Sequence, residues 1–135
     1  MADASTALFD FRTVADVTTG EHKVALPGGQ PTSMVILLAG PEHPDRKARA
    51  FAVVRRKRAE LKRTGEMPVG DPEEDYALET DELVASTLGW TGCAIDFSRQ
   101  AALELYTDPA RAWLRGQVKE ALGRRELFIT RSGVV

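Results

Sequence analysis

The spacing of apolar residues changes at Pro44, and this change constrains the fold more than any other feature of the sequence. Before Pro44, apolar and polar residues alternate in short runs, as in half-buried strands. After it, apolar residues recur every three or four positions, as on one face of a helix. In a chain of 135 residues, a size that suits a single domain, this order predicts an α+β fold. We expect a small N-terminal β-hairpin element followed by a predominantly helical C-terminal half.

The β-element is predicted to span residues 1–41. Phe9 and Phe11 alternate with charged residues, which predicts a first strand. Two more apolar runs, over 22–26 and 34–38, flank a turn rich in glycine and proline. Because two such runs around a glycine turn are typical of antiparallel neighbours, we predict that they form a hairpin.

Four segments are predicted to follow the β-element. They are a basic helix over 42–65, a connector over 66–72, a helical half over 73–123 and a tail over 124–135. Pro44 suits the first position of a helix, and the prolines of the connector interrupt helical structure. Within the helical half, a helix from about 73 to 88 is expected to end at Gly89, and Ser98 and Asp108 are expected to cap two further helices.

Charge is segregated between the basic helix and the residues after it. Residues 46–63 contain nine basic residues, whereas residues 66–82 carry eight acidic residues and no basic one. We favour the interpretation that the two segments pack side by side and neutralise each other. The alternative is a basic face that recruits a polyanion or an acidic partner. The net charge of −2 gives no general attraction to nucleic acid or to anionic membranes.

The sequence offers no residue set suited to catalysis or to metal binding. His22 and His43 are not at ligand spacing, and a structural zinc site needs several Cys or His residues in close pairs. Cys93, the single cysteine, has apolar neighbours, so we predict a small buried side chain. We therefore expect no enzyme activity, no metal and no cofactor. The longest apolar run is too short for a membrane span, and the N-terminus lacks the pattern of a secretory signal, so we expect a cytoplasmic protein.

Three stretches of the helical half carry a family resemblance. Residues 83–90 form a leucine-containing helix end closed by Gly-Trp, residues 97–106 open with Phe-Ser before a short helix, and residues 113–118 begin a last helix that is followed by Phe128. In this order the stretches resemble the tail assembly chaperones of long-tailed bacteriophages. One departure is Ala101, where relatives often carry asparagine.

The resemblance implies a chaperone of virion assembly. Such proteins coat the long tape-measure protein, keep it soluble, recruit tail-tube subunits and leave before the tail is complete. It therefore implies self-association, a location in the host cytoplasm and absence from the mature virion. Neither a membrane nor a nucleic acid is expected as a partner. Two alternatives stay open: a small DNA-binding regulator that uses the basic helix over 46–63, and a structural protein of the tail or connector.

Partner binding is expected to use apolar and aromatic side chains, because coating a helix requires apolar surface between helices. The candidates are Phe51, Val54, Leu61, Trp90, Phe97, Tyr106 and Phe128. Trp90 has two interpretations of similar weight, a core anchor or an interface residue. Trp113 falls in an apolar helical stripe, and we predict that it belongs to the core.

Overall fold

The computed structural model describes residues 7–131 and confirms the α+β class, with 53% helix and 21% strand. Residues 1–6 of the predicted β-element and 132–135 of the predicted tail lie outside the described part. The strands are β1 (Val14–Asp16), β2 (Thr19–Ala25), β3 (Pro31–Ala39), β4 (Thr87–Thr91) and β5 (Ile129–Arg131). The helices are α1 (Pro44–Thr64), α2 (Pro72–Ser86), α3 (Arg99–Thr107) and α4 (Ala112–Leu122). Short 3-10 turns cover Phe11–Thr13, Pro109–Arg111 and Arg125–Phe128.

The predicted hairpin is confirmed, and it is part of a three-stranded sheet. β2 and β3 pair antiparallel, and β4 pairs antiparallel with the other edge of β3, where Ile36 lies opposite Trp90. The prediction that the second helix continues to residue 88 is wrong, since α2 ends at Ser86 and β4 begins at Thr87. The pairing edge that β3 offers is distant in sequence, so the local helical pattern gave no sign of it.

A second sheet joins the two ends of the described chain. β1 and β5 pair antiparallel, with Val14 opposite Arg131. The predicted tail is thus wrong as a description of residues 125–131, which form a 3-10 turn and β5. The strand predicted at Phe9 and Phe11 is also wrong, because Phe11 begins a 3-10 turn and both rings are exposed. Asp10 caps this turn by accepting a hydrogen bond from the Arg12 amide, a local alternative to strand pairing.

The core lies between the three-stranded sheet and helices α2, α3 and α4. Its buried hydrophobic members are Val24, Ile36, Leu38, Leu83, Val84, Ala102, Tyr106, Leu114, Val118, Ala121, Leu122 and Phe128. The Phe128 ring fits against Gly20 and Gly40, and a Cβ atom at Gly40 would lie 2.8 Å from that ring. Trp113 is partly buried and packs against the core, as predicted.

Arg115 of α4 connects α4 to α2 and α3 through hydrogen bonds. Its side chain is charged, yet the residue is only 8% exposed. Its guanidinium donates hydrogen bonds to the Thr80 hydroxyl at 2.7 Å, the Tyr106 carbonyl at 2.9 Å and the Glu79 carboxylate at 2.9 Å. It also lies 3.9 Å from the centre of the Tyr76 ring. A buried cation is tolerated here because its donors have acceptors and an aromatic face.

Helix α1 follows the sequence prediction closely but stands apart from the core. It begins at Pro44 and ends before Gly65, whose φ of 77° lies in the left-handed region that favours glycine. None of its residues is buried. Its first turns are anchored by Arg46, which donates to the Ala39 and Leu122 carbonyls, both at 2.9 Å.

Candidate partner-binding groove

Helix α1 is long for an element that contributes nothing to the core. Its 21 residues correspond to about 31 Å at the usual rise per residue. Most of the stability of a protein helix comes from packing an apolar face, and α1 has no buried face. Its exposed apolar residues are therefore available to a partner.

An open groove of about 1280 Å³ lies between α1 and α2 and is lined by both helices and the connector. The α1 positions 46, 49, 53, 56 and 60 line it, and their spacing of three and four places them on one helical face. The apolar part of the lining comes from all three segments. It comprises Ala50, Ala52, Val53, Pro68, Val69, Leu78 and Ala85.

Several of these apolar side chains are open to solvent. Val69 is 96% exposed, Leu78 51% and Val53 38%. Three large apolar side chains on facing segments of one concave surface form the kind of site that accepts the apolar face of a helix. The sequence analysis did not select them, because on α1 it followed the apolar stripe with Phe51, Val54 and Leu61, which lies outside the groove lining.

The walls of the groove carry opposite charges. Arg56 and Lys57 lie on the α1 wall, and Glu74, Asp75 and Asp81 lie on the α2 wall. Within the described residues, none of these five side chains has an oppositely charged nitrogen or oxygen atom within 4 Å. The two walls face each other across open space.

Side-by-side packing of the two charged segments is therefore a wrong prediction. In the part of the chain that the structure describes, one ion pair joins α1 to α2, between Arg49 and Glu82 at 2.8 Å. Arg49 also donates to the Ser86 hydroxyl at 3.1 Å. Exposed ion pairs contribute only about 0–1 kcal/mol each, so opposite charge alone does not bring two helices into contact.

The candidates Phe51, Val54 and Leu61 are exposed but lie on a different face of α1. They are absent from the groove lining, and their spacing places them on a second helical stripe together with Arg58. We call this stripe the outer face. Phe51 is 53% exposed and Val54 46%.

Two of the aromatic candidates are partly buried and two lie in the core. Trp90 and Phe97 are partly buried against the core, with their rings edge to face and 5.0 Å apart. Tyr106 and Phe128 are 1% and 0% exposed. Their selection as partner contacts is corrected here, because both side chains are enclosed by the chain itself. The Tyr106 hydroxyl bonds that of Thr87 at 2.6 Å.

Comparison with protein-family models, with curated proteins and with solved structures finds no match to this chain.

The histidines and the cysteine do not gather into a site. His22 bonds the Gln117 side chain at 3.1 Å, and His43 accepts a hydrogen bond from the Asp45 amide at 3.2 Å as the N-cap of α1. Cys93 is partly exposed rather than buried, which corrects the prediction for it. From residue 7 to 131, no group of three or more His, Cys, Asp or Glu residues could hold a metal ion. None of the helices in that range has the length and hydropathy needed to cross a membrane.

Proposed function

We propose that this protein is a non-catalytic assembly chaperone that holds a helical segment of a long partner in the groove between α1 and α2. The observation that carries the proposal is α1 itself, a 21-residue helix with no buried residue that forms one wall of an open groove. The family resemblance of the helical half motivates the identity of the partner, which is the tape-measure protein of a long-tailed bacteriophage.

The groove suits a chaperone because it offers apolar contact without a closed pocket. Val53, Val69 and Leu78 lie on three different segments and remain exposed in the free chain. A partner helix placed among them removes apolar surface of both molecules from water, and each square ångström contributes about 25 cal/mol. A long partner with repeated apolar stripes would bind several copies of the chain.

The outer face of α1 provides a separate surface for contact between copies. Phe51, Val54 and Leu61 lie outside the groove lining, so they stay exposed when the groove is filled. Self-association along the partner would place neighbouring chaperones in contact and present a repeated surface to tail-tube subunits. In this scheme the chaperone acts in the host cytoplasm and leaves before the virion matures.

Co-expression with the tape-measure protein tests the proposal. The unmodified chain should keep that protein in the soluble fraction, and light scattering should show many chaperones per partner. Val53→Asp with Leu78→Asp should abolish the effect, because a carboxylate would be desolvated in the groove. The matched control, Phe51→Asp with Leu61→Asp on the outer face, should keep the partner soluble and reduce only self-association. A groove variant that works as well as the unmodified chain would refute the proposal.

A DNA-binding regulator is the second candidate, and one observation favours it. Arg55, Arg58 and Lys62 of α1 have no ion pair within 4 Å among the described residues. Binding of duplex DNA would weaken steeply as salt rises, since it releases counterions. Tight duplex binding at low salt, together with an insoluble tape-measure protein on co-expression, would favour the regulator over the chaperone.

A further inference from the structure

Five of the eleven charged side chains that line the groove already have partners among the described residues. Arg49 pairs with Glu82, Glu60 with Arg63, and Glu79 with both Arg115 and Lys119. Arg46 donates to two backbone carbonyls. These groups have partners when the groove is empty, so a bound helix does not need to supply an opposite charge to them.

Five of the six remaining charged groups are divided by wall. Arg56 and Lys57 stand on the α1 wall, while Glu74, Asp75 and Asp81 stand on the α2 wall. Arg99 of α3, the sixth group, lines both the groove and a smaller depression together with Asp81, so the acidic character of the α2 wall is strongest at Glu74 and Asp75. An occupant that fills the groove meets positive charge on one side and negative charge on the other.

We infer that the groove takes an amphipathic helix with oppositely charged flanks, acidic along the flank facing α1 and basic along the flank facing α2. The inference rests on the proposed function, because it specifies the partner of the same groove. The apolar stripe of the partner would contact Val53, Val69 and Leu78, and its flanks would then meet the two walls. Opposite charges across an interface fix register and reject wrong partners, because juxtaposed like charges are costly.

Opposite flanks also fix the direction in which the helix lies. Exchanging the acidic and basic flanks of an amphipathic helix has the same effect on its charge pattern as turning it end to end. The two ends of the groove are distinguishable, since the connector with Val69 lies at one end and the Arg49–Glu82 pair at the other. The charges should therefore impose one direction on each partner sequence.

Four synthetic 18-residue peptides with one Leu/Ala stripe test this inference on the full chain. One carries Glu on one flank and Lys on the other, the second has these flanks exchanged, the third has Glu on both flanks and the fourth has Lys on both. Fluorescence anisotropy at low salt should give dissociation constants at least about tenfold lower for the first two than for the others, a difference of about 1.4 kcal/mol. A spin label at the peptide N-terminus should broaden the NMR signal of Val69 with one of the first two peptides and that of Arg49 with the other.

Two charge-matched variants locate the effect on the protein. Arg56→Glu with Lys57→Glu makes both walls acidic, and it should weaken binding of the first two peptides and strengthen that of the peptide with two Lys flanks. Arg55→Glu with Arg58→Glu changes the net charge equally but lies outside the groove lining, so it should keep the original order of affinities. Equal affinity for all four peptides would overturn the flank inference alone. Failure of every peptide to bind would overturn the groove as the site and the inference with it.

Discussion

At the scale of single residues, Arg115 shows how a charged group becomes part of the core. We predict that Arg115→Leu lowers the free energy of unfolding by about 2–4 kcal/mol, because the Thr80 hydroxyl and the Tyr106 carbonyl would lose a donor at a buried site. Urea denaturation, monitored by circular dichroism, would measure this change in the free energy of unfolding.

Lys119 provides the matched control for Arg115. It pairs with the same Glu79 carboxylate at 2.9 Å, but its own side chain is 62% exposed. Lys119→Ala should therefore change the free energy of unfolding by less than about 1 kcal/mol. Equal losses for the two variants would mean that the ion pair with Glu79, and not the buried hydrogen bonds, is what Arg115 supplies.

Tyr106 should make the free energy of unfolding depend on pH in the alkaline range. Burial raises its pKa from 10.0 to about 12, and the hydrogen bond with Thr87 opposes this shift. Since the folded-state pKa is raised, the contribution to stability is complete below pH 10 and is lost as the pH rises through 12. We predict a loss of about 2–3 kcal/mol over this interval. Tyr106→Phe should be less stable at neutral pH but should lack this part of the pH dependence in unfolding experiments. An unchanged pH profile in Tyr106→Phe would rule out Tyr106 as its source.

Two glycines should respond in opposite ways to the same substitution. Gly40→Ala would place a Cβ atom 2.8 Å from the Phe128 ring, and overpacking of this kind costs about 1–3 kcal/mol. Gly116 lies inside α4, and apart from its own neighbours in the helix no atom lies within 4 Å of an added Cβ, so Gly116→Ala should stabilise by about 0.5–1 kcal/mol. Thermal unfolding of both variants measures the difference. Stabilisation by Gly40→Ala would contradict the close packing of Phe128.

Residue-scale features that act locally could be predicted from the sequence. Ser98 accepts a hydrogen bond from the Ala101 amide and caps α3, as predicted. Asp108 accepts one from the Ala110 amide, but it caps the 3-10 turn Pro109–Arg111 and not the last helix, since α4 begins only at Ala112. The burial of Phe128 could not be predicted in the same way. It depends on Gly20 and Gly40, which are far away in sequence and make room for the ring only in the folded chain.

At the scale of elements, α1 should be the least protected helix. It has no buried residue, whereas α4 buries Leu114, Val118 and Ala121. Local opening costs little where few apolar contacts are lost. We predict that amide hydrogen exchange in α1 beyond Arg49 is faster by orders of magnitude than in α4. Equal protection of the two helices in the free monomer would show that α1 is held by contacts other than those described.

The helices were predicted better than the strands because their signals are local. The start of α1 at Pro44 and its end before Gly65 depend on residues at or next to those positions. β4 and β5 are short and exist only because a distant strand offers a pairing edge. Their residues carry no alternation long enough to indicate a strand.

At the scale of the whole molecule, the groove was beyond the reach of sequence analysis. The segregation of charge was visible, but it predicted that the basic and acidic segments would be in contact. The structure instead separates Arg56 and Lys57 from Glu74 and Asp75 across open space. Where two helices lie relative to each other depends on how each attaches to the rest of the fold. Among residues 7–131, the side-chain hydrogen bonds from α1 to the sheet and to the other helices come from Arg46 and Arg49 in its first turns.

The most direct test of the groove as the binding site is hydrogen exchange of the chain alone and in its co-purified complex with the tape-measure protein. We predict that new protection concentrates in α1, the connector and the N-terminal half of α2, while β2 and β4 exchange as they do in the free chain. New protection confined to the edges of the sheet, with α1 still exchanging rapidly, would contradict the proposal that the groove between α1 and α2 holds the partner.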